Sequence, residues 1–214
     1  MKWLLPGVVA LLLCCPCQSA ARDPGGRAEG GGGEQIPLSL RQWTQDVMLL
    51  QKEYDRYAFL GSNLNRTYAI SRQLPPGEVE RIAGAAEAVH SAVSKLAISW
   101  QNLGKAGIPS RYARAVTAWE RKIDGVSAGM ASAVCAYCDI SATSPAGDVV
   151  VVATCAGKVA GDCATGECLD CCGNIPDAGL QRLCTARCRH QSSLCLLAAA
   201  IKRHSRAADG TARP

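Results

Sequence analysis

The fold is decided by residues 163–195, which read CATGECLDCCGNIPDAGLQRLCTARCRHQSSLC. Two Cys-x3-Cys pairs, Cys168 with Cys172 and Cys184 with Cys188, are separated by eleven residues. Residues four apart share one face of a helix, and facing positions in an antiparallel helical hairpin have a constant sum of residue numbers. Cys168 can therefore face Cys188 while Cys172 faces Cys184. Packed helices leave about 4–5 Å between facing Cα atoms, which a disulfide can bridge.

The adjacent Cys171 and Cys172 leave one choice open. Side chains one position apart on a helix diverge by about 100°, so only one of the two can face the partner helix. The equal sum of residue numbers favours Cys172, and a small rotation of the helix would substitute Cys171. Cys163 and Cys195 fall close to the same ladder and suggest a third link.

Four cysteines then remain: Cys135, Cys138, Cys155 and Cys171. We expect Cys135 and Cys138 to tie the end of a third helix to the hairpin. The pairing among these four cannot be deduced from spacing.

The twin spacing is similar to the Cys-x3-Cys hairpins of the small Tim chaperones, oxidised helical proteins of the mitochondrial intermembrane space. The similarity covers about residues 163–195 and rests on spacing. In that family the outer cysteines pair with each other and the inner pair closes the turn, which here implies Cys168–Cys188 and Cys172–Cys184. The resemblance implies the hairpin geometry, and no chaperone function is carried over from it.

Residues 1–21 have the features of a secretory signal peptide: the basic Lys2, an apolar stretch and small residues before a cleavage point. The apolar stretch has about ten residues, half of what a membrane span needs. The alternatives are a retained anchor helix and acylation at Cys14, Cys15 or Cys17. Removal of the signal leaves ten of the 13 cysteines and a net charge of +4. We therefore predict a secreted, periplasmic or extracellular protein whose cysteines form structural disulfides.

The segment between the signal and the cysteines is predicted to be helical. Residues 22–36 form a Gly-rich linker that we expect to be disordered. Within residues 37–140, apolar residues recur every three or four positions in three segments, broken at Pro75-Pro76-Gly77 and at 104–109. This pattern predicts an all-α fold of three long antiparallel helices followed by a disulfide-stapled hairpin. The same stripes would also suit a coiled-coil dimer, so the chain is expected to be a monomer or such a dimer.

Residues 146–203 are predicted to form the Cys-rich hairpin. The run Val149–Val152 has the composition of a strand, but with no second strand signal we interpret it as the start of a fourth helix capped by Asp148. Residues 173–177 form the turn, and a fifth helix continues to about Arg203. Residues 204–214 are expected to be a basic, disordered tail.

No motif in the sequence indicates a reaction, a cofactor or a metal site. His90, His190 and His204 have no companion ligands at suitable spacing and are expected at solvated or boundary positions. Cys135-Ala-Tyr-Cys138 has the spacing of a redox motif, but a thioredoxin-like site requires a surrounding βαβ unit that is absent here.

Basic residues dominate the C-terminal segment. From Ala178 onward they are opposed by Asp209 alone; they are Arg182, Arg187, Arg189, Lys202, Arg203, Arg206 and Arg213. Such a segment could contact an anionic surface such as lipid headgroups or a polyanion, or it could simply be a solvated face. The mild overall charge does not predict specific binding of nucleic acid.

The favoured hypothesis is an exported, disulfide-rich helical protein that acts by binding or scaffolding and is not an enzyme. Its partner would be an unknown protein or an anionic surface, and no transmembrane span is expected once the signal is removed. The alternative is a thiol redox or soft-metal (copper) protein that uses Cys135 and Cys138.

Overall fold

Three long helices form the N-terminal part of the described chain, as the apolar periodicity predicts. The computed structural model describes residues 36–133, 135 and 137–211, with side chains as far as residue 204. Helix α1 spans Leu38–Ser71, α2 spans Pro76–Ala106 and α3 spans Ala113–Ser132, preceded by a short helical turn at Ser110–Tyr112. The all-α fold class is confirmed. The predicted signal peptide, the linker up to residue 35 and residues 212–214 lie outside the described residues.

The breaks between the helices follow from local backbone chemistry. Arg72 ends α1 in the left-handed conformation, with φ of 53°, and its N–H donates to the Tyr68 carbonyl over 2.9 Å. Pro76 then begins α2 at the one helical position where its missing N–H costs nothing. Gly107, with φ of 77°, ends α2 in a conformation that side chains rarely adopt. The first break brings the stripes of α1 and α2 together, whereas α3 after the second break packs mainly against α1 and the last helix of the chain.

The last helix belongs both to the cysteine hairpin and to the bundle. Helix α6 spans Ala178–Thr211 and packs along α2 as extensively as α1 does. Its Leu197 joins Trp43, Leu96 and Ile123 in one buried core. The sequence had suggested separate regions at 37–140 and 146–203, whereas α6 supplies the fourth helix of the bundle. The extra helix covers apolar surface on α2 that three helices would leave exposed.

The first three residues of the run at Val149–Val152 form a strand, and a helix begins only at Val152. Ser141–Thr143 (β1) and Val149–Val151 (β2) pair as a short antiparallel hairpin, with Ser141 opposite Val151 and Thr143 opposite Val149. Gly147, with φ of 86°, lies in the turn, and the Asp148 N–H donates to Ser144 Oγ over 3.1 Å. Asp148 therefore serves the hairpin turn and is not a helix cap. The prediction failed because β1 has no apolar signature of its own.

The predicted fourth helix is divided into two short pieces. Helix α4 spans Val152–Ala156 and α5 spans Gly166–Gly173. Between them lie Gly157 and Gly161, which weaken a helix, and Cys163, whose φ is 69°. The predicted turn before α6 is present, with Asp177 Oδ1 accepting the Leu180 N–H over 2.7 Å. This is the geometry of an N-terminal helix cap.

Two helix ends also differ from the expected positions. Helix α3 ends at Ser132 instead of continuing to about residue 140, and the chain then turns at 137–139. Helix α6 continues to Thr211, so the backbone of 204–211 is helical where a disordered tail was expected. Among the described residues, no helix has the length and apolar content needed to cross a membrane.

Candidate functional site

Two disulfides join α5 to α6 at the positions that the residue-number sums indicate. Cys168 is linked to Cys188 and Cys172 to Cys184, with Cα separations of 5.9 and 5.6 Å. All four side chains are at most 1% exposed, and Cys172 Sγ lies only 3.4 Å from Cys188 Sγ of the neighbouring disulfide. The two cross-links therefore stack directly on each other and form the centre of a small apolar core with Val152 and Ile175.

The remaining links in this region resolve the choice that spacing left open. Cys171 pairs with Cys155 and ties α5 to α4, while Cys172 faces α6. Cys163 pairs with Cys195, but it precedes α5, so this link is not a third rung between two helices. Its backbone is held by Ser192, whose Oγ donates to the Cys163 carbonyl over 2.6 Å.

Cys135 and Cys138 do not tie α3 to the hairpin. They pair with each other across a tight turn, with a Cα separation of 5.2 Å, and the Cys138 N–H donates to the Cys135 carbonyl over 3.1 Å. The turn is attached to the rest of the fold through the Ala153 N–H, which donates to the Cys138 carbonyl. Ten cysteines within the described residues thus form five disulfides, which fits an extracellular or otherwise oxidising compartment.

A cavity of about 270 Å³ lies where α1, the end of α3, the Cys135–Cys138 turn and α6 meet. Its polar lining consists of phenol, hydroxyl, amide and guanidinium groups; the residues that supply them are Tyr54, Tyr57, Ser62, Asn65, Tyr137 and Arg187. No carboxylate side chain of the described residues lines it. We call this cavity the Arg187 pocket.

Arg187 reaches the pocket because of its position on α6. Leu183 and His190, four residues before and three after it, are both at most 2% exposed, so this face of the helix is turned toward the protein interior. The Arg187 Nε is buried without a hydrogen-bond partner; the Arg189 Nε is also buried without a well-aligned hydrogen bond, but it lies 2.7 Å from a carboxylate oxygen of Glu87. No hydrogen bond or ion pair joins Arg187 to any residue that the structure describes. The half-buried Arg187 guanidinium therefore lies at the wall of the cavity with no ion-pair partner among the described residues.

The neighbouring Arg182 and Arg189 differ from Arg187 because each forms an ion pair. Arg182 Nη1 lies 2.7 Å from Glu80 Oε2, and Arg189 Nε lies 2.7 Å from Glu87 Oε2. Both acidic partners belong to α2. Arg187 is rotated from Arg182 by about 140° around the helix axis, given 3.6 residues per turn. Of these three arginines, Arg182 and Arg189 thus pair with α2, and Arg187 lines the pocket.

The other predicted contacts of an anionic surface are far from this pocket. Lys202 and Arg203 are exposed, and Arg203 lines a separate cavity of about 250 Å³ that includes Trp100 and His204. The side chain of Arg206 lies outside the described residues. Arg182 and Lys202 are about 30 Å apart along the helix axis at 1.5 Å per residue. The structure therefore does not bring the five described side chains of this set together on one free surface.

Burial keeps the tyrosines of the pocket protonated. It raises the pKa of Tyr57 to about 12, although the nearby Arg187 charge acts in the opposite direction. The pKa of Tyr137 is also raised, mainly by burial and further by Tyr57. Burial and, to a lesser extent, Asp55 raise the pKa of Tyr54. Their hydroxyl groups are consequently available as donors at every pH at which a protein is normally studied.

Tyr54 is placed by a glycine on the facing helix. A Cβ atom built on Gly129 of α3 would lie 2.8 Å from Tyr54 Cζ and still closer to the hydroxyl oxygen. Only a residue without a side chain leaves room for the ring. Gly129 is therefore a component of the pocket that the sequence pattern did not identify.

His190 is buried, contrary to the expected solvated or boundary position. Its side chain is 2% exposed. The Met130 carbonyl lies 3.1 Å from His190 Nε2 and can only accept, so Nε2 carries the proton and donates it to this hydrogen bond. Burial, reinforced by the Arg187 charge, lowers the pKa of His190 to about 4. His90 is a boundary residue 3.3 Å from Ser193 Oγ, and His204 contacts Glu120 over 2.6 Å.

The tyrosines of the pocket were not recognised because they fit the helical stripe. Tyr54 and Tyr57 occupy positions of the apolar stripe of α1, where the helical period alone predicts core residues. A usable signal was present, because a buried tyrosine hydroxyl requires a polar partner. Three of the five tyrosines in the chain line this pocket.

Comparisons with known proteins do not assign a role to this pocket. No family model, no curated protein and no solved structure matches this chain. The similarity to the small Tim chaperones accordingly remains one of cysteine spacing within residues 163–195.

Proposed function

We propose that this chain is an exported, disulfide-stapled helical binding protein that holds a small organic anion in the Arg187 pocket. The observation that carries the proposal is the unpaired Arg187 guanidinium. Burying part of a charged group costs free energy unless an acceptor compensates it. The described chain supplies no ion-pair partner to Arg187, while Glu80 and Glu87 form ion pairs with Arg182 and Arg189. A bound anion would provide the missing partner.

The lining of the pocket indicates what kind of anion would fit. The guanidinium of arginine presents paired N–H groups that match a carboxylate in a bidentate geometry. The rings of Tyr54 and Tyr57 offer apolar and aromatic surface next to this charge, and the hydroxyl of Tyr137 offers a further donor. A volume of about 270 Å³ suits a small molecule. We therefore propose a carboxylate attached to a planar or apolar body of about one ring.

The disulfides support this role by fixing the segment that carries Arg187. Cys184 and Cys188 stand three residues before and one residue after it, and both are cross-linked to α5. Thus the part of α6 that presents the guanidinium is fixed before any ligand arrives. A site that is organised in advance loses less entropy on binding.

Isothermal titration calorimetry with three one-ring probes of similar size and different charge tests the proposal. We expect benzoate to bind the purified protein, and benzyl alcohol and benzylamine to bind at least tenfold more weakly, since a charge-assisted hydrogen bond contributes about 1.5–3 kcal/mol. Arg187→Met should reduce benzoate affinity by tenfold or more. The control Arg182→Met also removes one positive charge from α6 and should leave the affinity unchanged.

Two results would contradict the proposal. One is the absence of preference for benzoate over its neutral and cationic counterparts. The other is equal loss of affinity in the Arg187 and Arg182 variants, which would mean that the charge of α6 as a whole attracts the anion. The second outcome would favour the anionic-surface hypothesis, and affinity should then fall steeply with salt.

A further inference from the structure

We infer that the Cys135–Cys138 disulfide exchanges with small thiols that carry a carboxylate, and that Arg187 positions them for attack on Cys135. The inference rests on the proposed function, because it uses the same anion anchor. Cys135 lines the Arg187 pocket, whereas Cys138 is 4% exposed and does not. None of the other described cysteines lines this pocket.

This disulfide contributes least to joining the fold. It connects residues three apart within one turn, whereas the other four connect separate elements across 12 to 32 residues. Stabilisation by a cross-link grows with the length of the loop that it closes. Opening Cys135–Cys138 would therefore leave every link between helices in place. The Cys135–Cys138 disulfide can therefore exchange without separating two helices. The stacked disulfides between α5 and α6 cannot.

The stacked pairs are also closed to attack. Cys168, Cys172, Cys184 and Cys188 are at most 1% exposed. Cys171 is the informative comparison, because it is partly exposed and lines a different cavity together with Lys158. A thiol that reacted merely by exposure would have Cys135, Cys171 and the partly exposed Cys195 as targets. A preference of the thiol for Cys135 over the other partly exposed cysteines would therefore depend on the Arg187 pocket.

The exchange can be written with bonds and electrons balanced. The thiolate of a small molecule attacks Cys135 Sγ, forms a mixed disulfide with it, and breaks the bond to Cys138, which leaves as a thiolate. A second small thiolate attacks the small-molecule sulfur of the mixed disulfide and releases Cys135. Two electrons pass from two small thiols to the protein, and the small thiols end as a symmetric disulfide. The protons of the small thiols are taken up by Cys135 and Cys138.

In this scheme Arg187 is a positioning residue. Its guanidinium would bind the carboxylate of the incoming thiol and bring the sulfur to the wall formed by Cys135. The positive charge also favours the thiolate form in its vicinity. Charge selectivity among small thiols is therefore the signature of the arrangement, and a merely structural role of Arg187 would not produce it.

The test compares 3-mercaptopropionate with cysteamine on the full-length oxidised protein. Reactions are quenched by alkylation, and the modified cysteines are identified by non-reducing peptide mapping. After correction for the thiolate fraction of each reagent, we expect 3-mercaptopropionate to form the mixed disulfide at Cys135 at least tenfold faster than cysteamine. Arg187→Met should remove this preference, Arg187→Lys should retain part of it, and Arg182→Met should leave it intact. Benzoate should slow the anionic reagent in the wild-type protein.

The outcomes separate this inference from the proposed function. If benzoate binds through Arg187 but the anionic thiol shows no preference for Cys135, the exchange is refuted and the binding site stands. Modification chiefly at Cys171 or Cys195 would refute the exchange as well. If benzoate does not bind, and exchange at Cys135 is independent of Arg187, both the anchor and the proposed function are refuted.

Discussion

Replacing Gly129 with alanine tests the contact that shapes the Arg187 pocket. The new Cβ would lie 2.8 Å from Tyr54 Cζ and closer to its hydroxyl oxygen, so the ring must shift. Overpacking of this kind costs about 1–3 kcal/mol. Replacement of a glycine inside a helix by alanine gains about 1 kcal/mol. We therefore expect Gly129→Ala to lie between no net change and a loss of about 2 kcal/mol in the free energy of unfolding.

Gly125 provides a matched control on the same helix, one turn earlier, because a Cβ atom there meets nothing within 4 Å. Gly125→Ala should stabilise the protein by about 1 kcal/mol. Unfolding in guanidinium chloride should thus separate the two alanine variants by about 1–3 kcal/mol. The separation should disappear in a Tyr54→Ala background. Equal stabilisation by both substitutions in the presence of Tyr54 would refute the described position of the ring.

Two further predictions concern the buried histidine and the stacked disulfides. The pKa of His190 is about 4 in the folded protein and about 6.5 when unfolded, so the unfolded chain takes up the proton first as the pH falls. The stability present above pH 6.5 should therefore decrease by about 3 kcal/mol between pH 6.5 and 4, and His190→Gln should remove this component from unfolding curves measured across that range. An unchanged pH dependence in the variant would contradict the buried neutral state. Replacing both Cys172 and Cys184 with alanine should lower the free energy of unfolding by about 2–4 kcal/mol while the helical circular dichroism is largely retained; loss of most of the helicity would contradict the independent packing of the bundle core.

Much of the architecture follows from local pattern. The stripes on α1, α2 and α3 predict long helices because burial along one helix face requires a 3.6-residue period. The Cys-x3-Cys pairs predict their partners because antiparallel helices impose a fixed register. Both inferences depend on regular geometry that the chain itself encodes.

The failures occurred where a partner from elsewhere in the chain decides the structure. Val149–Val151 becomes a strand because Ser141–Thr143 lies beside it, and that short polar segment has no strand signal. Similarly, the disulfide partner of Cys171 is decided by the position of Cys155. Propensity is a weak guide when such a tertiary contact is available.

The roles of Arg187 and Gly129 in the candidate site could not be predicted from the sequence for the same reason. Arg182, Arg187 and Arg189 look equivalent in a basic stretch. They differ only because α6 packs against α2, whose glutamates meet Arg182 and Arg189 but not Arg187. Gly129 likewise has no special meaning until α1 brings Tyr54 against it.

The most direct measurement of the central claim is a crystal structure of the protein with 4-bromobenzoate, in which anomalous scattering locates the bromine. The account predicts the bromine inside the Arg187 pocket, with the carboxylate within hydrogen-bond distance of the Arg187 guanidinium and the ring against Tyr54 or Tyr57. An anion bound elsewhere, such as beside Arg203 and Lys105 in the cavity between α2 and α6, with the Arg187 pocket unoccupied, would contradict it.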